Sequence, residues 1–223
     1  MSKPLTSEEI RDRLANRKNY LYQVGVLATE RYLETISDYI WENEITDDKK
    51  QLKGVTEITR EKSYQVNHAK TSKVDGSNRG EELYVLKLYK NRKENDVKKI
   101  FGEIIDYQVP LKKERKDAGV GKIDFIYVKD GALYFAEIKA ETNKESILKA
   151  IVEIQTYYQQ ANKEKLLKDF GLNLPIKKVV VFFEGSAQAN RLNDPNVQKL
   201  LRAFDIEAIV LRSDLKIEEV KKA

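Results

Sequence analysis

The sequence predicts an α/β fold in which a mixed central sheet is flanked by helices and preceded by a helical N-terminal extension. Three observations carry this expectation. From residue 79 onward, apolar runs suited to strands alternate with stretches of helical periodicity. Val179-Val180-Val181-Phe182-Phe183 shows no polar alternation, as a strand covered on both faces requires. Asp130-Gly131 separates two β-rich runs, a strong short-range signature of a two-residue hairpin.

Taken in order, residues 1 to about 45 read as helix. Thr6-Ser7-Glu8-Glu9 offers a capping box, and Ile10, Leu14, Leu21, Val24, Leu27 and Ala28 form an apolar stripe that Tyr32, Leu33, Ile36, Tyr39 and Ile40 continue. Residues 46–78 are polar and irregular, with short β-like pieces at 55–58 and 64–66 and a turn at Asp75-Gly76-Ser77-Asn78. The extension is therefore drawn at 1–78 and the main domain at 79–223. Within the latter, helices are expected at 81–89, 144–168 and 196–203, and strands at 105–109, 123–128, 133–139, 178–183 and 206–211.

Composition removes several function classes. The 223 residues, 41% of them hydrophobic, can bury a sizeable core. No apolar run is long enough to span a bilayer, and the first residues lack the apolar centre of a signal peptide, so a cytoplasmic protein without a membrane partner is expected. The absence of cysteine excludes disulfides, thiolate zinc sites and a cysteine nucleophile. A single histidine, His68, excludes histidine-rich metal sites and reads as a surface or hydrogen-bonded residue. Gly119-Val120-Gly121-Lys122 is too short for a phosphate-binding loop and lacks its hydroxyl residue, so ATP use is not expected. Between Lys87 and Lys122 there are eleven Lys and Arg against six Asp and Glu, an excess equal to the net charge of +5 of the whole chain. Such clustering suits a polyanionic partner, although solvated helix and loop faces would look the same.

The chemistry concentrates in residues 121–140, GKIDFIYVKDGALYFAEIKA. A tight Asp130-Gly131 turn sets the register so that Asp124 lies opposite Glu137, on the same face of the sheet, with Cβ atoms about 4.5–5.5 Å apart. Two facing carboxylates repel unless a cation lies between them, and a divalent metal held by Asp124 and Glu137 is the economical answer. Glu137 and Lys139 are two apart on one strand and share a face, which brings the ammonium beside that metal. The plainer alternative makes Glu137 and Lys139 the polar end of a strand and Asp124 the cap of its entry.

The order helix, strand, strand bearing Asp124, turn, strand bearing Glu137-Ile138-Lys139, helix resembles that of PD-(D/E)XK nucleases, over roughly residues 79–183. Ile123 stands where the motif's name has proline. The resemblance implies a restriction-endonuclease-like fold and Mg²⁺-dependent hydrolysis of DNA, with Mn²⁺ able to substitute. Asp124 and Glu137 would bind metal and Lys139 would orient the attacking water, so that removing its ammonium should abolish cleavage and leave the fold intact. It also implies an acidic residue on the preceding helix, Glu81 with Glu82 as the alternative, and a glutamine on the following one, for which Gln155 is the candidate. A backbone-bonded glutamine would serve equally well as a reading of Gln155. Lys112, Lys113, Arg115, Lys116 and Lys122, leading into Asp124, are the candidate phosphate contacts. A homodimer is expected, because double-strand cutting commonly uses two sites. The competing reading is a nucleic-acid-binding module of the same fold that does not cleave and acts within a defence or repair complex.

Overall fold

Strand and helix formation in this chain follows the alternation of its apolar residues, and the sheet that results sorts them into two cores. A computed structural model describes residues 3–46, 50–68, 80–114, 117 and 119–212. Five strands, β1 (Glu103–Pro110), β2 (Lys122–Lys129), β3 (Ala132–Ile138), β4 (Ile176–Phe183) and β5 (Ile206–Leu211), lie in that order in one sheet. β1, β2 and β3 are antiparallel, and β3, β4 and β5 are parallel. The mixed α/β sheet flanked by helices is thus present.

The β2–β3 hairpin turns through Asp130 and Gly131, both at positive φ, 49° and 73°, as a primed two-residue turn demands. Its register pairs Lys129 with Ala132 and runs to Phe125 with Ala136. On one face Ile126, Leu133, Phe135, Val180 and Phe182 pack under α5 (Ile147–Gln160) and α7 (Pro195–Phe204). On the other, Phe125, Tyr127, Tyr134, Ala136 and Val181 pack under α3 (Gly80–Lys90) and α4 (Asn95–Phe101). The short α4, absent from the expected elements, buries Val97, Ile100 and Phe101.

The N-terminal segment shares the first of these cores, through Ile10, Leu14, Leu27 and Ile36. Its capping box forms as expected: the Thr6 hydroxyl accepts from the Glu9 amide, and the Glu9 carboxylate accepts from the Thr6 amide at 2.7 Å. The continuous helix expected to about 45 is instead broken. α1 (Ser7–Ala15) gives way to 3₁₀ turns between Leu21 and Tyr32, and helix resumes as α2 (Leu33–Tyr39) with a π turn over Ile40–Glu44. Asn16, Asn19 and Gly25 lie in the interruption, and all three disfavour helix. The β-like pieces at 55–58 and 64–66 are not strands: the Ile58 amide donates to the Gln160 carbonyl and the Tyr64 amide to the Asp169 carboxylate. The turn expected at 75–78 falls outside the described residues.

The long helix expected over 144–168 is two helices, α5 and α6 (Lys163–Phe170). Asn162 divides them, its side chain accepting from the Lys165 amide as an N-cap, which competes with helical continuation.

Gly102 ends α4 at φ +65°, and a Cβ there would stand 2.3 Å from the Val128 carbonyl oxygen. Gly131 is also at positive φ, but a Cβ there would meet nothing within 4 Å. Gly102→Ala should therefore cost about 2 kcal/mol or more and Gly131→Ala about 1 kcal/mol, read as shifts in chemical-denaturation stability. Equal losses would show that the Val128 contact is readily relieved.

Candidate active site

The site begins where β3 ends. Glu137 and Lys139 fall on the α5 side of the sheet and are each 3% exposed. The Lys139 ammonium donates to Glu137 Oε1 at 2.8 Å and to Glu153 Oε2, from α5, at 2.8 Å, and lies 3.5 Å from Glu145 Oε2. Tyr157, one turn beyond Glu153, donates its hydroxyl to Glu153 Oε1 at 2.8 Å.

Asp124 enters from β2. The β2–β3 ladder's final pair is Phe125 with Ala136, so Asp124 and Glu137 are the next residues across the hairpin. Asp124 Oδ2 accepts from the Ile138 amide at 3.0 Å, and Oδ1 accepts from the Gln108 side-chain amide at 3.1 Å. Gln108 sits within β1 at φ +52°, a region that costs a non-glycine residue about 1–3 kcal/mol. Its Oε1 in turn accepts from the Lys122 ammonium at 3.3 Å. A strained residue thus joins the Asp124 carboxylate to a lysine at the mouth of the site.

Burial dominates the electrostatics. It pushes the Asp124 carboxyl up to about 7, against the lowering effect of the Ile138 amide and Lys139. Glu137 is driven well above the usual carboxylate range by burial and then by Asp124 and Glu153. Burial alone would lower the Lys139 ammonium, but Glu137 and Glu153 outweigh it and hold the lysine charged. Lys149 pairs with Glu145, and Lys139 is left to serve Glu137, Glu153 and Asp124, so carboxyl groups outnumber ammonium groups in the cluster. Glu137 Oε2, moreover, is buried and has no hydrogen-bond partner.

These features fit a hard divalent cation, which takes oxygen ligands and relieves repulsion between carboxylates. Asp124 and Glu137 are the residues that could hold it. Among the described residues no group of three or more His, Cys, Asp or Glu is arranged as a metal cage. Mg²⁺ commonly takes only one or two carboxylates and completes its shell with water and substrate phosphate.

A cleft of about 490 Å³ opens at Asp124, lined also by Glu81, Glu82, Lys112, Lys122 and Glu145. Glu81 accepts a hydrogen bond from the Asn143 side chain, and its charge acts on both Asp124 and Lys139. Of the expected phosphate contacts, Lys112 and Lys122 face this cleft. Lys113 is exposed and 4.0 Å from Glu61, and Arg115 and Lys116 lie outside the described residues.

Gln155 is placed elsewhere. Its amide donates to Gln159 Oε1 at 3.0 Å, and its Oε1 accepts from the buried Lys178 ammonium at 2.8 Å. Glu153 is the α5 residue that reaches Lys139. An acid followed four residues later by a tyrosine, on a helix with an apolar core-facing stripe, is the sequence signal that could have found it. The removal of Lys139 also acquires a structural cost: it would leave buried carboxylates uncompensated, a change worth about 3 kcal/mol or more. Lys139→Ala is therefore expected to destabilise the fold, contrary to the expectation drawn from the sequence.

Comparisons with protein-family models, with curated proteins and with solved structures return no match to this chain.

Lys178 offers a separate test of the packing that claims Gln155. Burial lowers its ammonium from 10.5 to about 8, so the unfolded chain binds more protons between those values and stability rises with pH across that window. Relative to Lys178→Met, the wild-type protein should gain on the order of 3 kcal/mol from pH 8 to 10.5 in denaturant titrations. Parallel pH profiles for the two proteins would contradict the buried placement.

Proposed function

We propose that this chain is a divalent-cation-dependent nuclease that hydrolyses phosphodiester bonds in DNA. The observation that carries the reading is the bare, buried Glu137 oxygen beside Asp124, in a cluster whose carboxyl groups outnumber its ammonium groups, Lys139 and Lys149. Mg²⁺ or Mn²⁺, held by Asp124 and Glu137, would supply Lewis-acid stabilisation of charge developing on the phosphate oxygens.

The chain's own groups divide the remaining work. Lys139, kept cationic by Glu137 and Glu153, orients the attacking water and offsets charge in the transition state. Glu153 and Tyr157 position Lys139 through the relay of hydrogen bonds that ends on its ammonium. Lys112 and Lys122 contact backbone phosphates in the cleft, and Gln108 keeps Asp124 oriented. The preference for DNA rests on the PD-(D/E)XK-like order of elements, with the Asp124 and Glu137-Ile138-Lys139 motif on a hairpin followed by a helix. A homodimer belongs to the same proposal, as the means of cutting both strands.

Glu137→Gln separates function from folding. The amide keeps the hydrogen bond from Lys139 and removes one buried charge, so the variant should unfold at an equal or higher temperature than the wild type. In a plasmid-nicking assay with Mg²⁺, its cleavage should fall by about 100-fold or more. Undiminished cleavage would remove Glu137 from the reaction, and a wild-type protein that binds DNA without nicking it under Mg²⁺ or Mn²⁺ would favour the binding module instead.

A further inference from the structure

The chain's single tryptophan, Trp41, is 43% exposed and is the one large exposed hydrophobic side chain among the described residues. It lies in a groove of about 430 Å³ together with Ile45, Lys50, Lys199 and Arg202. The Lys199 ammonium stands 3.7 Å from the centre of the indole ring. Among the described residues none of Lys50, Lys199 and Arg202 forms an ion pair, and no acidic side chain lines the groove. Asp47 and Asp48 fall outside the described residues. A solvent-exposed indole ringed by cations presents a stacking face and positive charge on one surface.

The groove is remote from the carboxylate cluster. Asp205 alone links α7 to β5, so the turn bearing Arg202 and Ala203 lies where β5 begins. Glu137 and Lys139 lie where β3 ends, and β3, β4 and β5 run parallel. The two sites therefore occupy opposite ends of the sheet.

We propose that the Trp41 groove binds single-stranded nucleic acid, stacking a base on the indole while Lys50, Lys199 and Arg202 meet the flanking phosphates. An aromatic platform set among cations is the combination that single strands use, because every base has a stacking face and every linkage a charge. A duplex keeps its bases stacked within itself and cannot use the indole in this way. Binding at this groove requires neither metal nor hydrolysis, so it stands or falls apart from the nuclease reading.

Trp41 is its own reporter, since no other tryptophan contributes to the emission. The full chain, in EDTA, is titrated with oligothymidylate of about 20 nucleotides while tryptophan fluorescence is followed. The expected result is saturable quenching whose affinity falls steeply as salt rises from about 50 to 200 mM. Lys199→Ala/Arg202→Ala should weaken binding by about tenfold or more. Trp41→Ala, followed by anisotropy of a labelled oligonucleotide, should do the same. All three residues are exposed, and circular dichroism checks that the variants keep the fold. Fluorescence that does not move, or affinity unchanged in both variants, overturns the proposal. So does equal quenching by inorganic polyphosphate or by polyglutamate, which would assign the groove to bare polyanions or to an acidic protein.

Discussion

Placing several carboxylates around one buried ammonium is costly in free energy, and much of this molecule is arranged around that imbalance. Lys139 holds Glu137 and Glu153 at 2.8 Å each with Glu145 close by, while Asp124 raises Glu137 further from across the hairpin. A structural ion pair would be matched charge for charge and would satisfy its remaining oxygens. Here the match fails and one oxygen stays bare, the pattern expected of a site that trades stability for chemistry.

Elements far apart in sequence maintain the arrangement. β2 and β3 bring Asp124 and Glu137 together, and α5 lays Glu153 and Tyr157 over them. Gly121 permits the approach of Tyr157: a Cβ there would lie 2.0 Å from its hydroxyl. The N-terminal segment closes the same region, with Tyr22 donating to the Gly119 carbonyl at 2.7 Å and Gln23 donating to it at 2.6 Å. Tyr22 also packs edge-on against Tyr157, so the segment before residue 78 both shares the core and braces the loop that leads into Asp124. No helix among the described residues is long and apolar enough to cross a membrane.

What could be read from the sequence was what depends on short-range rules. The Asp130-Gly131 turn fixes the hairpin register through its own φ requirements, and the alternation of apolar residues then assigns each strand face. β4 was legible for a different reason, since its unbroken apolar run marks a strand covered on both faces. What escaped depends on tertiary competition. The stripe along α5 does not say which of Glu153 and Gln155 turns toward β3, because both border it; only the position of Lys178 on β4 draws Gln155 away. The left-handed backbone at Gln108 leaves no mark in residue type, since glutamine ordinarily avoids it. Asn162 looks like an ordinary helical residue until its side chain is seen capping α6.

The central claim is that the acidic pair on the hairpin lacks positive charge and takes it from a divalent ion. Calorimetric titration of the full chain with Mn²⁺ and Mg²⁺ near neutral pH, repeated in buffers of different ionisation enthalpy, tests this most directly. The account predicts one saturable site whose filling releases protons, because the Asp124 carboxyl sits at about 7, and predicts that Asp124→Asn weakens that site. Absence of saturable binding, or equal affinity in the variant, would contradict it.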